Sequence, residues 1–514
     1  MTQAWEIENF LDIRNDQLHI DGVSAVELAR EYATPLFVVS ESRIRHNIER
    51  IKRAGDVIPL PLKVCYAAKA MSTMAVLRAV KDAGCDIEVN SGGELWKALQ
   101  IGFTGDQIIF NGTSKEVWEL EMAIDAGIYA IQVDSLYELS LIGETAERLG
   151  KRANVSLRLV PEIESGTHSG LQTALLTSKF GMMPDEAFSA FRDLRDSPFL
   201  DLCGIHLHVG SQNPDPQVYA DAFRILFENL CRIVDETGVK LGHINLGGGF
   251  PVDYLRNAAA GLEMPDEQRQ MFEADFDPAE AIRSAWTAVR EAANAKGREQ
   301  VFDGLTLLLE PGRSIIADAG ICLTTVRNQK QRPMSRDSKM QVALRRRMIH
   351  EEIKVASESK DPPRPKAAVE FGTVNLGEDV AKMADDDIWL LTDAGFNILL
   401  SMETYKWYYH LISAERADEA PNTQYKLAGP LCDGGDVYFD IEGMDRLPDH
   451  RLLPENVKPG EVLAMLNCGA YSLAQASQYN GRSLPAVVLI RKNGTPELVR
   501  KRDTFEDLVA NDVY

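Results

Sequence analysis

Between residues 36 and 315, short apolar segments alternate along the chain with longer amphipathic ones. The short segments are rich in β-branched residues and predict strands, whereas apolar residues spaced three and four apart predict helices such as 75–83, 136–149 and 218–237. The predicted strands are 64–69, 86–90, 107–110, 130–134, 155–160, 204–209, 243–246 and 306–310. Eight βα units in a segment of this length are typical of a closed (β/α)8 barrel.

An open, doubly wound parallel sheet is the alternative that the same alternation allows. A sheet of that kind that binds a dinucleotide has a GxGxxG turn after its first strand, and none follows residues 64–69. We therefore predict an α/β fold in which residues 36–315 form a TIM-like (β/α)8 barrel.

The pattern changes after residue 316, where apolar strands follow one another without long helices between them. Turn residues separate the predicted strands 321–326, 388–392, 461–466 and 485–490, which indicates an antiparallel β domain. Residues 1–35 contain a short strand-like segment that we expect to pack with this domain. The second domain is thus predicted to comprise residues 1–35 and 316–514.

One stretch within the second domain, residues 328–385, is predicted to be a mobile insertion. Its first part, residues 328–365, is basic, bounded by prolines and poor in bulky apolar residues. We expect it to be partly helical around residues 340–354. The run Arg345-Arg346-Arg347 could bind an acidic partner, but a solvated helix face is the favoured interpretation.

Composition and charge narrow the possible functions of the 514-residue chain. Its net charge of −22 argues against general binding of nucleic acid, gives mild support to cationic ligands and is otherwise explained by solubility. No apolar run is long enough to cross a bilayer, and residues 1–8 lack the basic and apolar regions of a signal peptide. These features predict a cytoplasmic protein that does not bind membranes.

The cysteines predict neither a disulfide framework nor a metal site. There are seven, an odd number, and no two of them form a CxxC pair. We expect reduced thiols that are mostly buried and inert, so that a functional cysteine must be recognised from its surroundings.

In barrel enzymes the functional residues cluster at the carboxyl ends of the strands, and here those positions form a distinctive set. The first strand ends at Lys69 and the sixth runs into His208 and Ser211, whereas the seventh leads into Gly247-Gly248-Gly249 and the eighth into Glu310-Pro311-Gly312-Arg313. Glycine-rich turns after the last two strands of a barrel let backbone N–H groups point at a phosphate, and Arg313 adds a positive charge beside them. The two turns together predict a phosphate site.

Lys69 requires an explanation because lysines are seldom buried without a partner. Burial would lower the pKa of its amine and make it nucleophilic, as covalent catalysis by lysine requires. The alternative is a lysine whose stem is buried while its amine pairs with Glu88 at the end of the second strand. A reactive lysine beside a phosphate site indicates pyridoxal phosphate, and this combination favours the catalytic interpretation.

Glu310 and His208 then acquire roles around the cofactor ring. A carboxylate beside the pyridine nitrogen keeps that nitrogen protonated, so that the ring can accept the electron pair left when carbon dioxide departs. A structural carboxylate paired with an arginine is the alternative for Glu310. We expect His208 to stack on the ring, and we expect His206 to point to the opposite face of the strand as a structural residue.

These residues resemble the fold-type III pyridoxal-phosphate decarboxylases, which include diaminopimelate, ornithine and arginine decarboxylases. The likeness covers almost the whole chain apart from the insertion. The motifs that carry it are Tyr66-Ala67-Ala68-Lys69-Ala70, Ser91-Gly92-Gly93-Glu94-Leu95, Ser178-Lys179-Phe180-Gly181, the segments 206–212, 247–250 and 310–313, Cys432-Asp433-Gly434-Gly435-Asp436, Gly469-Ala470-Tyr471 and Tyr479-Asn480 with Arg482.

The resemblance implies further roles. Ser211 and Tyr471 would contact the phosphate, Cys432 would return a proton to the substrate after decarboxylation, and Asp433 would bind the distal amine of the substrate. Members of the family are head-to-tail homodimers in which the Cys-acid motif completes the site of the partner subunit. The resemblance therefore implies a homodimer that acts on a small amino acid.

Departures from the diaminopimelate pattern bear on the substrate. Diaminopimelate enzymes have an Arg-Pro-x-x-Tyr segment whose arginine holds the carboxylate that is retained, and the matching stretch here is Ser401-Met402-Glu403-Thr404-Tyr405. An unpaired carboxylate in a closed site costs on the order of several kcal/mol. The ending Asp503-Thr504-Phe505-Glu506-Asp507 and the stretch 426–431 resemble instead the branch that acts on D-lysine and D-ornithine.

We therefore expect a basic amino acid of D configuration as the substrate. The distal ammonium of this substrate would lie beside Asp433 or Glu403. The residues expected to contact the substrate are Arg313, Tyr405, Asp433 and Glu403. The alternative is meso-diaminopimelate, with L-lysine as the product. Two further alternatives are an amino-acid racemase, which Glu310 and Cys432 disfavour, and a non-catalytic binding relative, which the retention of Lys69 disfavours.

Overall fold

Eight parallel strands close into a barrel in the order of the chain, as predicted. The computed structural model describes residues 3–160, 178–256, 264–334, 339–340, 342–344, 386–443 and 446–513. The barrel strands are Leu62–Ala67, Asp86–Val89, Ile108–Phe110, Ala130–Val133, Ala153–Arg158, Leu200–His206, His243–Asn245 and Thr306–Leu309. The last strand pairs with the first, Leu307 opposite Leu62, and this pairing closes the barrel.

Helices surround the barrel and begin at recognisable caps. The predicted helix 136–149 spans Leu136–Leu149, and Ser135 Oγ accepts a hydrogen bond from the Glu138 N–H at its start. The α-helices of the described residues are Ala25–Tyr32, Glu41–Lys52, Met74–Asp82, Gly92–Ile101, Val117–Asp125, Leu136–Leu149, Pro184–Leu194, Gln217–Thr237, Asp266–Phe272, Pro278–Lys296, Arg313–Ile316, Leu400–Thr404 and Phe505–Leu508.

The barrel strands alternate between an outer and an inner face. Val64 and Tyr66 belong to the large core between the barrel and its helices, whereas Cys65 lies between them in sequence and packs with Ile109 and Leu308 in a separate small cluster. Successive residues of a strand point to opposite sides. The positions that continue the inner register beyond the strand ends therefore face the interior at the mouth of the barrel.

The second domain contains a nine-stranded sheet. Most neighbouring strands are antiparallel, and two pairings, 386–392 with 423–428 and 486–490 with 36–40, are parallel. Its strands are Leu36–Ser40, Gly320–Pro333, Asp386–Thr392, Leu411–Ser413, Thr423–Ala428, Arg451–Leu453, Val462–Met465, Ala486–Ile490 and Pro496–Arg500.

The boundary that we predicted for the barrel at residue 36 is displaced. The strand Leu36–Ser40 lies in the nine-stranded sheet, hydrogen-bonded between Gly320–Pro333 and Ala486–Ile490. All five of its residues are buried and the helix Glu41–Lys52 follows directly, so its local sequence has the pattern of a βα unit. Its partners are distant in sequence, and the local pattern contains no information about them.

Residues near the amino terminus pack against this second sheet, as expected. Three short strands, Leu11–Arg14, Gln17–Ile20 and Val23–Ser24, form a small sheet of their own. Their apolar side chains share a core cluster with Val38 and Leu323 of the larger sheet. The described residues contain no helix that is long and apolar enough to cross a membrane.

The predicted insertion begins later than residue 328. The strand Gly320–Pro333 continues through that position, and its residues 328–333 pair with residues 386–391 of the next strand. Their side chains are exposed, and a strand whose side chains face solvent needs no apolar residues to keep its backbone hydrogen bonds. Residues 339–340 and 342–344 are helical, whereas the remainder of the predicted insertion, including Arg345-Arg346-Arg347, lies outside the described residues.

Two leucines on adjacent strands of the second domain allow a matched stability test. Leu489 is fully buried and Leu498 is 42% exposed. We expect Leu489→Ala to lower the free energy of unfolding by about 2–5 kcal/mol, because it removes buried methyl groups and leaves a cavity. Leu498→Ala should change it by less than about 1 kcal/mol. Urea denaturation of both variants measures the difference, and equal losses would contradict the assigned core.

Candidate active site

A buried carboxylate, Glu310, lies at the centre of a polar network inside the mouth of the barrel. Asn245 Nδ2 and Asn111 Nδ2 donate hydrogen bonds to its two oxygens at 2.7 and 3.1 Å. His206 Nε2 lies 3.4 Å from Glu310 Oε2. Burial by itself raises the pKa of Glu310. His206, Asn245 and Lys69 lower it by a larger amount, so the pKa of Glu310 lies below its usual range.

Glu88 is the second buried carboxylate of the network. Asn111 Nδ2 bridges the two acids, because it also donates to Glu88 Oε1 at 2.8 Å, and Asn90 Nδ2 donates to the other oxygen at 3.1 Å. Burial raises the pKa of Glu88, and the negative charge of Glu310 adds to that effect while Lys69 opposes it. The two acids thus have pKa values shifted in opposite directions.

Lys69 lies in a single turn, Ala68–Ala70, directly after the first barrel strand. Its side chain is exposed at the open barrel mouth, but the surrounding strand ends shield the amine from bulk solvent. We expected burial to lower the pKa of this amine. Burial does act in that direction, but the nearby groups Glu88, Tyr471 and Glu310 outweigh it, so the pKa of Lys69 lies above its usual value. The expectation was wrong because it neglected the acids that face the amine.

His208 is a neutral imidazole held against the backbone of the glycine turn. The N–H of Gly248 donates to His208 Nδ1 at 3.2 Å. Burial, followed by the positive charges of Lys69 and Arg158, holds the pKa of His208 well below its usual value. Because an unprotonated Nδ1 is needed to accept this bond, the hydrogen bond and the lowered pKa are consistent with each other.

The position of His206 differs from our expectation. Residues two apart on a strand point to the same side, so His206 shares the inner face with His208 and lies beside Glu310. The assignment of the two histidines to opposite faces was wrong for this geometric reason.

The turn Gly247-Gly248-Gly249 has a conformation that side chains would not tolerate. Gly247 and Gly249 have φ values of 66° and 94°, in the left-handed region. A Cβ on Gly248 would lie 2.3 Å from the carbonyl oxygen of Glu310. The three glycines therefore bring the backbone of the seventh strand's turn directly against the end of the eighth.

Arg313 is a buried cation directly after Gly312. Its Nη1 donates to Tyr254 Oη at 2.9 Å, and its Nε donates to Ser211 Oγ at 3.2 Å. Its guanidinium carbon lies 4.3 Å from the ring centroid of Trp407 and 4.8 Å from that of Tyr471. The guanidinium is thus held between two aromatic rings while it fixes the Ser211 hydroxyl.

The glycine turns and the lysine belong to one site. A Cβ on Gly312 would lie 3.1 Å from Ala67 Cβ and 3.3 Å from Ala70 Cβ, and these two residues lie before and after Lys69 in the chain. The second domain also reaches this point, because the Tyr471 N–H donates to the Ala70 carbonyl oxygen at 2.9 Å. An amine, a side-chain-free backbone turn and a carboxylate of lowered pKa are the groups that pyridoxal phosphate requires, so the residues present fit this cofactor.

Cys432 and Asp433 form a second group, on an exposed loop of the second domain. Tyr479 Oη donates to Asp433 Oδ2 at 3.1 Å, and the Cys432 N–H donates to Asn480 Oδ1 at 2.7 Å. These partners all belong to the second domain. Among the residues that the structure describes, the hydrogen bonds of Cys432 and Asp433 thus do not connect them with the lysine turn.

Glu403 lies beside this loop. A Cβ on Gly435 would lie 3.4 Å from both Glu403 Oε1 and Asp433 Oδ1, so the two carboxylates are no more than about 6.8 Å apart, twice that distance. The buried Lys406 donates to the other oxygen of Glu403 at 3.0 Å. Together these three side chains carry one net negative charge.

The stretch that replaces the arginine segment is the helix Leu400–Thr404 with Tyr405 after it. Ser401 is buried, and its Oγ lies 3.4 Å from Gln475 Oε1. Tyr405 donates its N–H to the Ser401 carbonyl oxygen at 3.0 Å. Ser401 therefore lies beside the segment that follows Tyr471.

Several residues of the site were missed in the sequence. Three of them lie at the end of a barrel strand or one residue beyond it, at positions that point into the barrel: Asn111, Arg158 and Asn245. The alternation of inward and outward residues along each strand could have identified them. Tyr254 and Trp407 have no comparable signal, because they reach Arg313 from loops of two different domains.

Comparisons with known proteins agree with this geometry. The family described as "Pyridoxal-dependent decarboxylase, pyridoxal binding domain" matches residues 42–317. Diaminopimelate decarboxylase from Methanothermobacter thermautotrophicus is 33% identical over 503 residues, which are 97% of this chain and 97% of that protein. The enzyme of the same name from Bacillus subtilis is 30% identical over 503 residues, 97% of this chain and 96% of that protein.

A solved structure shares both the fold and the sequence pattern. The crystal structure of diaminopimelate decarboxylase from Methanocaldococcus jannaschii in complex with L-lysine has a TM-score of 0.75 and 29% sequence identity, and the match covers 98% of each chain. Because the family match covers more than half of the chain and includes both glycine turns and Lys69, the chain belongs to the pyridoxal-phosphate-dependent, fold-type III amino-acid decarboxylases.

Proposed function

We propose that this decarboxylase acts on meso-diaminopimelate and releases carbon dioxide and L-lysine. The whole-length likeness to enzymes named for diaminopimelate supports the substrate. The observation that carries the proposed chemistry is the position of Lys69 between buried acids and the backbone of the Gly312 turn.

The proposed contacts to the cofactor divide among three groups of residues. Lys69 would hold it covalently, and the backbone of Gly247, Gly248, Gly249 and Gly312, with Ser211, Arg313 and Tyr471, would hold its phosphate. Glu310 would face the ring nitrogen and His208 the ring, with Glu88 beside the lysine. When bound, pyridoxal phosphate supplies the electron sink that takes up the electron pair left as carbon dioxide departs.

The lowered pKa of Glu310 suits the role at the ring nitrogen. A carboxylate that stays ionised keeps a neighbouring pyridine nitrogen protonated, and Asn245 and His206 hold this carboxylate ionised. The neutral His208 adds no positive charge that would compete with the ring. The site thus concentrates negative charge at one edge of the proposed cofactor position.

Cys432 would be the acid that completes the reaction. After carbon dioxide has left, the thiol would give its proton to the substrate carbon that carried the carboxylate, and solvent would then reprotonate the thiolate. Cys432 is exposed and its hydrogen bonds lie within the second domain, which is what a residue that serves another subunit requires. We therefore propose a homodimer in which each Cys432 completes the partner's site.

A second candidate substrate is D-lysine or D-ornithine, and the residue at position 401 favours it. Ser401 is uncharged, whereas diaminopimelate has a retained carboxylate that needs a cation in a closed site. Asp433 and Glu403, no more than about 6.8 Å apart, suit the distal ammonium of either kind of substrate. Arg313 and Tyr405 would contribute the remaining contacts.

Removing the proposed cofactor lysine tests the chemistry. We expect Lys69→Ala to abolish release of carbon dioxide and to lose the visible absorbance of bound cofactor on gel filtration, because no other amine forms the covalent bond. Lys81→Ala, on the outer helix Met74–Asp82, is the control and should keep both. Normal turnover by Lys69→Ala would refute the assignment.

Mixing two variants tests the shared site. Cys432→Ala should bind cofactor but turn over slowly, whereas Cys231→Ala on an outer helix should resemble the wild type. If Lys69→Ala and Cys432→Ala subunits are unfolded and refolded together, about half of the dimers contain one subunit of each kind. Each mixed dimer has one intact site and one inactive site. About a quarter of the wild-type activity should therefore return. No recovery, with mixed dimers detected by mass spectrometry, would contradict a site built from two subunits.

A substrate panel separates the two candidates. Carbon dioxide release should be fastest from meso-diaminopimelate, and fastest release from D-lysine or D-ornithine would establish the second candidate instead. Ser401→Arg should raise kcat/KM for diaminopimelate relative to D-lysine by roughly tenfold or more, because a charge-assisted hydrogen bond contributes about 1.5–3 kcal/mol. Ser401→Gln, long but uncharged, is the control. An equal shift in both variants would contradict the charge argument.

A further inference from the structure

The segment Tyr479–Arg482 binds the loop that carries Cys432 at three points, and we name this segment the clamp. Tyr479 Oη donates to Asp433 Oδ2 at 3.1 Å, Asn480 Oδ1 accepts the Cys432 N–H at 2.7 Å, and Arg482 Nη2 donates to the Pro430 carbonyl oxygen at 2.9 Å. The three contacts reach residues on both sides of Cys432 and Cys432 itself.

We propose that the clamp positions the Cys432 thiol for its proton transfer, with Asn480 as the principal positioning residue. This inference rests on the proposed role of Cys432 as the acid. It assigns a task to the motif Tyr479-Asn480-x-Arg482, which the cofactor site does not use.

The backbone that leads into Cys432 is held by two side-chain acceptors. The preceding amide, Leu431 N–H, donates to Oδ2 of the buried Asp436 at 2.7 Å. The next amide, that of Cys432, donates to Asn480 at 2.7 Å. Because both N–H groups are held, the two peptide planes that lead to the Cys432 Cα are held as well, and this restricts the directions available to the Cα–Cβ bond.

The thiol depends on this arrangement because its own side chain has no anchor. Among the described residues, none forms a hydrogen bond with Cys432 Sγ within the chain. The backbone therefore sets the position of Cβ, and the sulfur occupies one of the few staggered rotamers that this position allows. A displacement of about 1 Å in a group that transfers a proton can reduce a rate by roughly 100-fold.

Local contacts also hold the clamp itself in a single conformation. Asn480 has φ 56° and ψ 24°, in the left-handed region that asparagine adopts more readily than most residues. The Tyr479 ring stacks on Phe396 with ring centroids 5.9 Å apart and planes 19° apart. The Phe396 N–H in turn donates to Asp436 Oδ1 at 2.9 Å, so the clamp and the Cys432 loop are fixed to the same buried carboxylate.

Substitutions at Asn480 separate the hydrogen bond from the backbone conformation. Asn480→Gly keeps the left-handed conformation and removes the acceptor, whereas Asn480→Asp keeps both. Asn456→Gly is the matched control, because Asn456 is another exposed asparagine of the second domain with φ 61°. All variants are studied as the full chain loaded with pyridoxal phosphate.

We expect Asn480→Gly to lower kcat by about 10- to 100-fold with KM changed less than about threefold, because the proton donor is misplaced while substrate contacts remain. Hydrogen exchange of the peptide that contains residues 431–436 should be faster in this variant, with or without cofactor. Asn480→Asp and Asn456→Gly should keep wild-type values of both quantities.

The outcomes distinguish this inference from the proposed function. Wild-type protein that releases no carbon dioxide from any diamino acid would refute the proposed function. An active wild type together with unchanged kcat and unchanged exchange in Asn480→Gly would overturn the clamp alone. Loss of kcat in Asn480→Gly and Asn480→Asp alike, with unchanged exchange in both, would also overturn it, because the acceptor would then not be the cause.

Discussion

The chemistry of this protein depends on keeping Glu310 ionised inside a barrel. A carboxylate removed from water is unstable unless donors replace its hydration, and here Asn245 and Asn111 donate to it while His206 lies beside it, each on a different strand or just beyond its end. Each donor reaches Glu310 only if its strand has the correct register. The charge of Glu310 is therefore stabilised only when the barrel has closed correctly. Lys69 adds the positive charge that makes two buried acids tolerable.

The two domains contribute groups of opposite character. The barrel supplies buried residues whose positions are fixed by strand register, whereas the second domain supplies Cys432 on an exposed loop held by side-chain hydrogen bonds. A group that must meet a site on another subunit has to lie on the surface, and a surface loop needs additional contacts to hold a single conformation. The Asp436 and Asn480 contacts provide that rigidity.

The sequence predicted the features that local pattern encodes. All eight barrel strands follow from the alternating segments and the helix Leu136–Leu149 from the helical spacing of its apolar residues, and the glycine turns follow from their places after the last two strands. The sheet membership of Leu36–Ser40 depends on partners far along the chain, so local pattern could not reveal it. The raised pKa of Lys69 depends on Glu88 and Glu310 from two other barrel strands and on Tyr471 of the second domain, and the sequence of the first strand contains no information about their distances.

The pairing of the strand Leu36–Ser40 affects the order in which the protein can fold during translation. It is translated among the first segments, yet its parallel neighbour Ala486–Ile490 is translated near the end. The eight barrel strands emerge entirely in between and can close before this central sheet is complete. Until translation is almost finished, Leu36–Ser40 therefore has an unpaired apolar edge, and a nascent chain that stalls late would expose a strand prone to intermolecular pairing.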